Sequence, residues 1–240
     1  MNEREIVLDF YKNDPEGAKK ALARLDAGER GAYIIGEWYF WRHIFKLNKD
    51  CLIPRPDTEC VVEKAIADLP QNAVFADLCT GSGCIALSIL SERSDLTALA
   101  FDISEGALSA ARENAEMLGL SDRISFIRCD LLSEDPLENR LFDAIISNPP
   151  YIRAAVVDAS PDLSCEPRIA LDGGEDGLVF YRRFVRDFAK NLKENGEFIF
   201  EIGFDQRDSV TSIAEESALS CKVTRDYGSN DRVAVIKKSV

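Results

Sequence analysis

The sequence predicts a doubly wound α/β fold: a mostly parallel, seven-stranded sheet with an antiparallel last strand, preceded by a short helical and hairpin segment. Three observations predict it. From residue 51 onward, strand-like segments alternate with helix-like ones, the rhythm of a parallel sheet covered by helices on both faces. The last two strand-like segments are separated only by "DYGSNDR", too short for a crossover helix, so they must pair antiparallel. The chain has 240 residues, 46% of them hydrophobic, enough for one good-sized core and a small appendage.

Two short helices open the chain, one around residues 2 to 12 and one within "DPEGAKKALARLDAG", where Asp14 caps, Pro15 takes the first turn and Gly28 stops it. Next, "AYIIGEWYFWRHIFKLN" is rich in β-branched and aromatic residues around a central glycine, which predicts a hairpin anchored by its two tryptophans on something larger. Residues 1 to 50 therefore form an N-terminal segment and residues 51 to 240 the sheet domain. Strands are expected at 73 to 78, 96 to 102, 124 to 129, 142 to 147, 196 to 202, 220 to 227 and 232 to 238. In the helix after Ser104, residues Ala107, Leu108, Ala111, Ala115 and Leu118 share a face, and Gly119 ends it. Leu178, Tyr181, Val185, Phe188 and Leu192 mark another helix near 176 to 193. Asp57, before Thr58 and Glu59, is placed to cap a helix running to Leu69. The stretch from 152 to 175 has no strong periodicity, and a loop of that length suits a lid.

Composition narrows the function classes. No run of about 18 uncharged apolar residues occurs, and the start "MNEREIVLDFYKNDPEG" is too charged for a signal peptide, so a cytoplasmic protein is expected. Seven cysteines without a C-x-x-C pair suggest reduced, buried thiols rather than a disulfide framework or a zinc site. The single histidine, His43, excludes mechanisms that need two imidazoles, and no metal site is expected. The net charge is −13, and the whole excess of acid lies beyond residue 50, where 33 acids face 20 bases. Such a surface repels a phosphate backbone, so direct nucleic-acid binding is not expected.

The first parallel strand runs into "DLCTGSGCIAL", in which Gly81, Gly83 and Ala86 satisfy G-x-G-x-x-A. Alone, that match is weak. Asp102, 19 residues beyond Gly83 at the end of the second strand, strengthens it, because a carboxylate there can take both ribose hydroxyls of an adenosine. Asp130 ends the third strand and can accept from an adenine amino group, with Leu131 in apolar contact. A strand-ending aspartate can equally cap the following helix. Together these acids and the loop indicate an adenosine cofactor, and leave NAD and S-adenosylmethionine both open. The antiparallel end of the sheet and the lack of a second glycine-rich half favour S-adenosylmethionine.

The fourth strand ends in "IISNPPY". Proline stops a strand and donates no backbone hydrogen bond, so Asn148 stands at the strand's end with its amide free. Beside a sulfonium methyl donor, the difficulty is the nucleophile, because an amide or aromatic amino nitrogen has its lone pair tied up in conjugation. Asn148 Oδ1 and the Pro149 carbonyl can accept both N–H groups and turn the lone pair toward the methyl, while Tyr151 packs on the planar group. This chemistry suits two targets, adenine N6 and the glutamine side chain.

Five segments carry a resemblance: "LIPRPDTE" (52 to 59), "DLCTGSGCIAL" (77 to 87), "SNPPYI" (147 to 152), "EPRIALDGGEDGL" (166 to 178) and "RDYGSNDR" (225 to 232). With them the sequence resembles the release factor glutamine methyltransferases, a family of class I, Rossmann-like methyltransferases. "PRPDTE" beside N-P-P-Y is the specific part. The resemblance implies methyl transfer from S-adenosylmethionine, leaving S-adenosylhomocysteine, to the side-chain nitrogen (N5) of the glutamine in the Gly-Gly-Gln loop of class 1 peptide chain release factors, a step in translation termination. The alternative is an N6-adenine methyltransferase acting on DNA or RNA, and a non-catalytic cofactor-binding scaffold is a third. Carried over by position, Cys79, Thr80, Gly81, Ser82 and Gly83 line the methionine and ribose, Asp102 the ribose and Leu131 the adenine. Asn148 touches cofactor and glutamine; Pro149, Pro150 and Tyr151 form the glutamine pocket, and Arg55 and Pro56 lie at its mouth. Relative to the family pattern the N-terminal region is shortened, and Arg30 and Ala32 replace an expected proline and glutamine, which makes residues 1 to 50 a truncated substrate-recognition region.

Overall fold

The computed structural model describes residues 2–238. Helices α1 (Glu3–Phe10) and α2 (Pro15–Asp26) open the chain, α1 through a reciprocal cap between Asn2 and Glu5 and α2 through Asp14, whose side chain accepts from the Gly17 amide. The expected hairpin is present but shorter. Gly31–Ile35 forms a helical turn, α3, that ends at left-handed Gly36, and only then do β1 (Glu37–Phe40) and β2 (His43–Lys46) pair. Tyr33 and Ile34 have strand-type side chains, yet both are buried by the turn, so packing overrides propensity.

Helix α4 (Glu59–Asp68) leads to the sheet: β3 (Val74–Leu78), α5 (Cys84–Glu92), β4 (Thr97–Asp102), α6 (Glu105–Met117), β5 (Ile124–Arg128) and β6 (Phe142–Ser147). After α7 (Ala154–Ala159) come α8 (Val179–Phe188), β7 (Leu192–Glu201), α9 (Arg207–Glu216), β8 (Leu219–Arg225) and β9 (Asp231–Lys238). Strand order is β5-β4-β3-β6-β7-β9-β8, parallel from β5 to β7. β9 runs antiparallel between β7 and β8, as the short "DYGSNDR" link requires.

Alternation along the central strands feeds two cores. Phe75, Ile146, Ile199 and Val235 face α4 and α5, whereas Leu78, Ile145, Phe200 and Ala234 face α8 and α9. α8 is shorter than its periodicity predicts, because Ala189–Asn191 tightens to a 3-10 turn and Leu192 already belongs to β7. The hairpin docks through buried Phe40 and Phe45 and through Asn114 of α6, whose amide exchanges hydrogen bonds with the Lys46 backbone (2.7 and 3.1 Å). The stretch after N-P-P-Y is not structureless: α7 and two 3-10 turns fill it, and Ile152 bridges to Asp172.

Candidate active site

The carboxyl ends of β3, β4, β5 and β6 open on one cavity of about 260 Å³. Its floor is the turn after β3. Cys79 adopts a left-handed backbone (φ 58°), as do Gly81 (57°) and Gly83 (79°), which bends the strand sharply into α5. At Gly81 a Cβ would meet nothing within 4 Å, whereas at Gly83 it would press on Leu87 (3.0 Å) and Ala111 (3.2 Å). Gly81 thus keeps the cavity open and Gly83 packs helix against helix.

Asp102 holds this turn. Its Oδ2 accepts the Gly81 N–H (2.8 Å) and its Oδ1 the Ser104 N–H (2.9 Å), while Ser104 itself caps α6; Asp102 still lines the cavity. Burial raises its pKa. Asp77 is fully buried beneath the turn, with Thr80 Oγ donating to it (2.6 Å), and burial pushes its carboxyl up to about 7. Asp130 spends its oxygens on the Leu132 amide and the Ser133 hydroxyl, at the cavity edge beside Leu131.

Of the expected cofactor residues, Cys79, Thr80, Gly81, Ser82, Asp102, Leu131 and Asn148 line the cavity, and Gly83 stands behind it. The donor set fits an adenosylated sulfonium: Asp50, Asp102 and Asp130 line the cavity with carboxyl groups that suit a cation, and Ser82 Oγ is buried without a hydrogen-bond partner among the described residues.

Asn148 and Pro150 form the wall opposite the turn, while Pro149, Tyr151, Arg55 and Pro56 are not among the lining residues. Asn148 Nδ2 donates to Thr58 Oγ (3.2 Å), and among the described residues no donor reaches Asn148 Oδ1 or the Pro149 carbonyl. Tyr151 turns away, its hydroxyl donating to Glu201 Oε1 (3.0 Å) and its carbonyl accepting from Gln206 Nε2 (3.1 Å). Arg55 pairs with buried Glu166, which also accepts the Ile53 N–H (3.1 Å) and ties the "PRPDTE" turn to the following loop. Asp57 makes no helix cap; its carboxylate pairs with buried Arg232 (3.2 Å), which overrides the expected capping role.

Sequence reasoning missed Thr58, Glu166, Glu201 and Gln206. Glu201 carried a signal, since an ionisable residue ends the otherwise apolar run "FIFEI" of a strand covered on both faces.

Fold and cavity together define a class I, S-adenosylmethionine-dependent methyltransferase. The Methyltransferase small domain family matches residues 59–164. A release factor glutamine methyltransferase from Caulobacter vibrioides is 38% identical, covering 96% of this chain and 82% of that protein. One from Aquifex aeolicus is 34% identical over 98% of this chain and 81% of that protein. The crystal structure of a release factor-specific protein-(glutamine-N5) methyltransferase from Alicyclobacillus acidocaldarius matches with TM-score 0.50 and 30% identity over 82% of this chain and all of that one. A ribosomal protein L11 methylase from Lactobacillus delbrueckii (TM-score 0.58, 21% identity, 84% and 92% coverage) shares the fold. The chain belongs to the release factor glutamine methyltransferase family.

Proposed function

We infer that this protein methylates the side-chain nitrogen of the glutamine in the Gly-Gly-Gln loop of class 1 release factors, in the cytoplasm, with residues 1 to 50 contributing to substrate recognition. The observation that carries the reading is the Asn148 amide, held by Thr58 on its nitrogen side with Oδ1 left for a ligand. S-adenosylmethionine, when bound, supplies an electrophilic methyl; Cys79 to Ser82, Asp102 and Leu131 would hold it. The chain's own task is the nucleophile. Asn148 Oδ1 and the Pro149 carbonyl accept the two N–H groups of the substrate amide, which orients its lone pair and weakens its conjugation. Pro150 lines the cavity where the glutamine would enter, Tyr151 backs that wall through its bond to Glu201 rather than packing on the glutamine, and Arg55 and Pro56 stand at the mouth. The cofactor would supply the methyl to the substrate nitrogen and leave as S-adenosylhomocysteine, and the proton released from the nitrogen would pass to water or through the same two acceptors.

Incubation with labelled S-adenosylmethionine and a class 1 release factor should label the factor. A factor whose loop glutamine is changed to alanine should stay unlabelled. Equal labelling of both would remove the assignment.

A further inference from the structure

The turn at residues 48 to 51 carries Asp50 to the lip of the cofactor cavity, where it is exposed and lines the opening. That turn is fastened to the start of α6. Asn48 Nδ2 donates to the Gly106 carbonyl (2.7 Å), and Asn48 Oδ1 accepts the Asp50 N–H (2.9 Å), so one side chain docks the turn and sets its bend. The Asp50 carboxyl then lies over Gly106. A Cβ at Gly106 would fall 2.0 Å from Asp50 Oδ2 and 2.7 Å from its Cγ, so any larger residue there would push the carboxyl away. Glycine is a poor helix former, and the space it leaves in the first turn of α6 is taken by this carboxyl. Asp102, Ile103 and Ser104, which lead into that turn, line the same cavity. Among the described residues, no hydrogen bond or ion pair engages the Asp50 carboxyl.

We propose that Asp50 is a second ribose-binding carboxylate, accepting a cofactor hydroxyl beside Asp102. The argument is one of unspent acceptors. A ribose presents two hydroxyl donors, and each Asp102 oxygen already accepts one backbone N–H, whereas every acceptor position of the Asp50 carboxyl is open. Its place on the turn that follows Asp102 puts it on the ribose side of the cavity. An anion also suits the N-terminal end of α6, where the peptide dipoles leave a partial positive charge. The N-terminal segment thereby contributes a residue to the cofactor site.

The proposal rests on the cofactor reading of the cavity and not on glutamine as the methyl acceptor, so its test measures binding without turnover. Isothermal titration of the full chain with S-adenosylhomocysteine should give about tenfold lower affinity for Asp50→Ala, the loss of one charge-assisted hydrogen bond at an exposed site. The free variant should keep its thermal midpoint within about 2 °C, as a surface substitution does. Gly106→Ala displaces the same carboxyl without removing it; it should weaken binding about threefold or more, yet add less than about twofold in an Asp50→Ala background. With the 2′-deoxy and 3′-deoxy forms of S-adenosylhomocysteine, Asp50→Ala should cost less than about twofold for one of the two, the form lacking the hydroxyl it holds. Unchanged affinity in Asp50→Ala, equal loss with both deoxy forms, or a full multiplicative loss in the double variant would overturn the proposal. 5′-Methylthioadenosine keeps the ribose and lacks the amino acid, so it should show the same loss; a loss confined to ligands with the amino acid would assign Asp50 to their ammonium group and overturn the ribose contact. A wild type that binds no S-adenosylhomocysteine would remove the cofactor assignment and this proposal together, whereas failure to label a release factor would remove only the substrate assignment.

Discussion

The proposed mechanism concentrates the chemistry in one amide, that of Asn148, so its removal should be felt in rate rather than in folding. Asn148→Ala deletes a half-exposed side chain with a single protein hydrogen bond. Losing one oriented acceptor in a water-poor site costs about a hundredfold or more in kcat. Single-turnover methyl transfer should show that loss with a thermal midpoint close to wild type; near-normal turnover would take Asn148 out of the mechanism. Its place at the cavity was readable because prolines end a strand in a way that needs a reason. Thr58 and Glu201 were not, since their contacts with Asn148 and Tyr151 join residues 90 and 50 positions apart in the chain. Cys79 is intermediate: the sequence offers a cysteine at a glycine-loop position, and only the left-handed backbone explains why a glycine suits it.

The turn from Gly173 to Gly177 braces the N-P-P-Y segment from outside. A Cβ at Gly173 would come within 2.7 Å of the Pro150 carbonyl and 2.8 Å of Tyr151 Cα, and at Gly177 (φ 79°) within 2.3 Å of the Tyr151 carbonyl. These are backbone atoms and cannot rotate aside. Gly177→Ala should therefore destabilise by roughly 1–3 kcal/mol, through overpacking and left-handed strain, and shift Asn148 as it does so. The outcome to measure is a large drop in kcat with cofactor affinity retained, because the loop after β3 is untouched; unchanged activity would show that the brace is dispensable. Such elements divide by what specifies them. The seven strands of the main sheet fell close to where the apolar runs placed them, since the central ones are buried on both faces and register is strongly fixed there. The 152 to 175 region was opaque because α7 is only six residues long and is held by Ile152, Asp172 and Gly174 rather than by its own periodicity.

Charge acts on the molecule in two ways. An excess of acid repels polyanions, and the expectation is that added DNA or RNA in large excess leaves labelling of a release factor unchanged at moderate salt, whereas competition would revive the adenine alternative. The same charge sets how stability depends on pH. Burial raises the pKa of Asp77, to about 7, and also those of Asp102, Glu197 and Glu201. Between its unfolded value near 4 and about 7, folded Asp77 keeps a proton that the unfolded chain has lost. The folded state then binds more protons, and stability falls as pH rises through that window. Growing self-repulsion acts in the same direction. Glu29 beside Arg24 and Asp187 beside Arg186 run oppositely, both lowered to about 2, so their contribution is lost only as pH drops below the ordinary carboxylate range. Thermal midpoints at constant ionic strength should climb from pH 8 to about pH 5 and fall again below about pH 4. Asp77→Asn keeps an acceptor for the Thr80 hydroxyl and removes the buried charge, so it should raise the midpoint at pH 8 and flatten the slope between pH 8 and 6. Each kcal/mol recovered is worth roughly 2–4 °C in a chain of this size. A midpoint that drops between pH 8 and 6 would mean that the buried carboxylates are stabilised as anions, and that Asp77 draws on a partner other than Thr80.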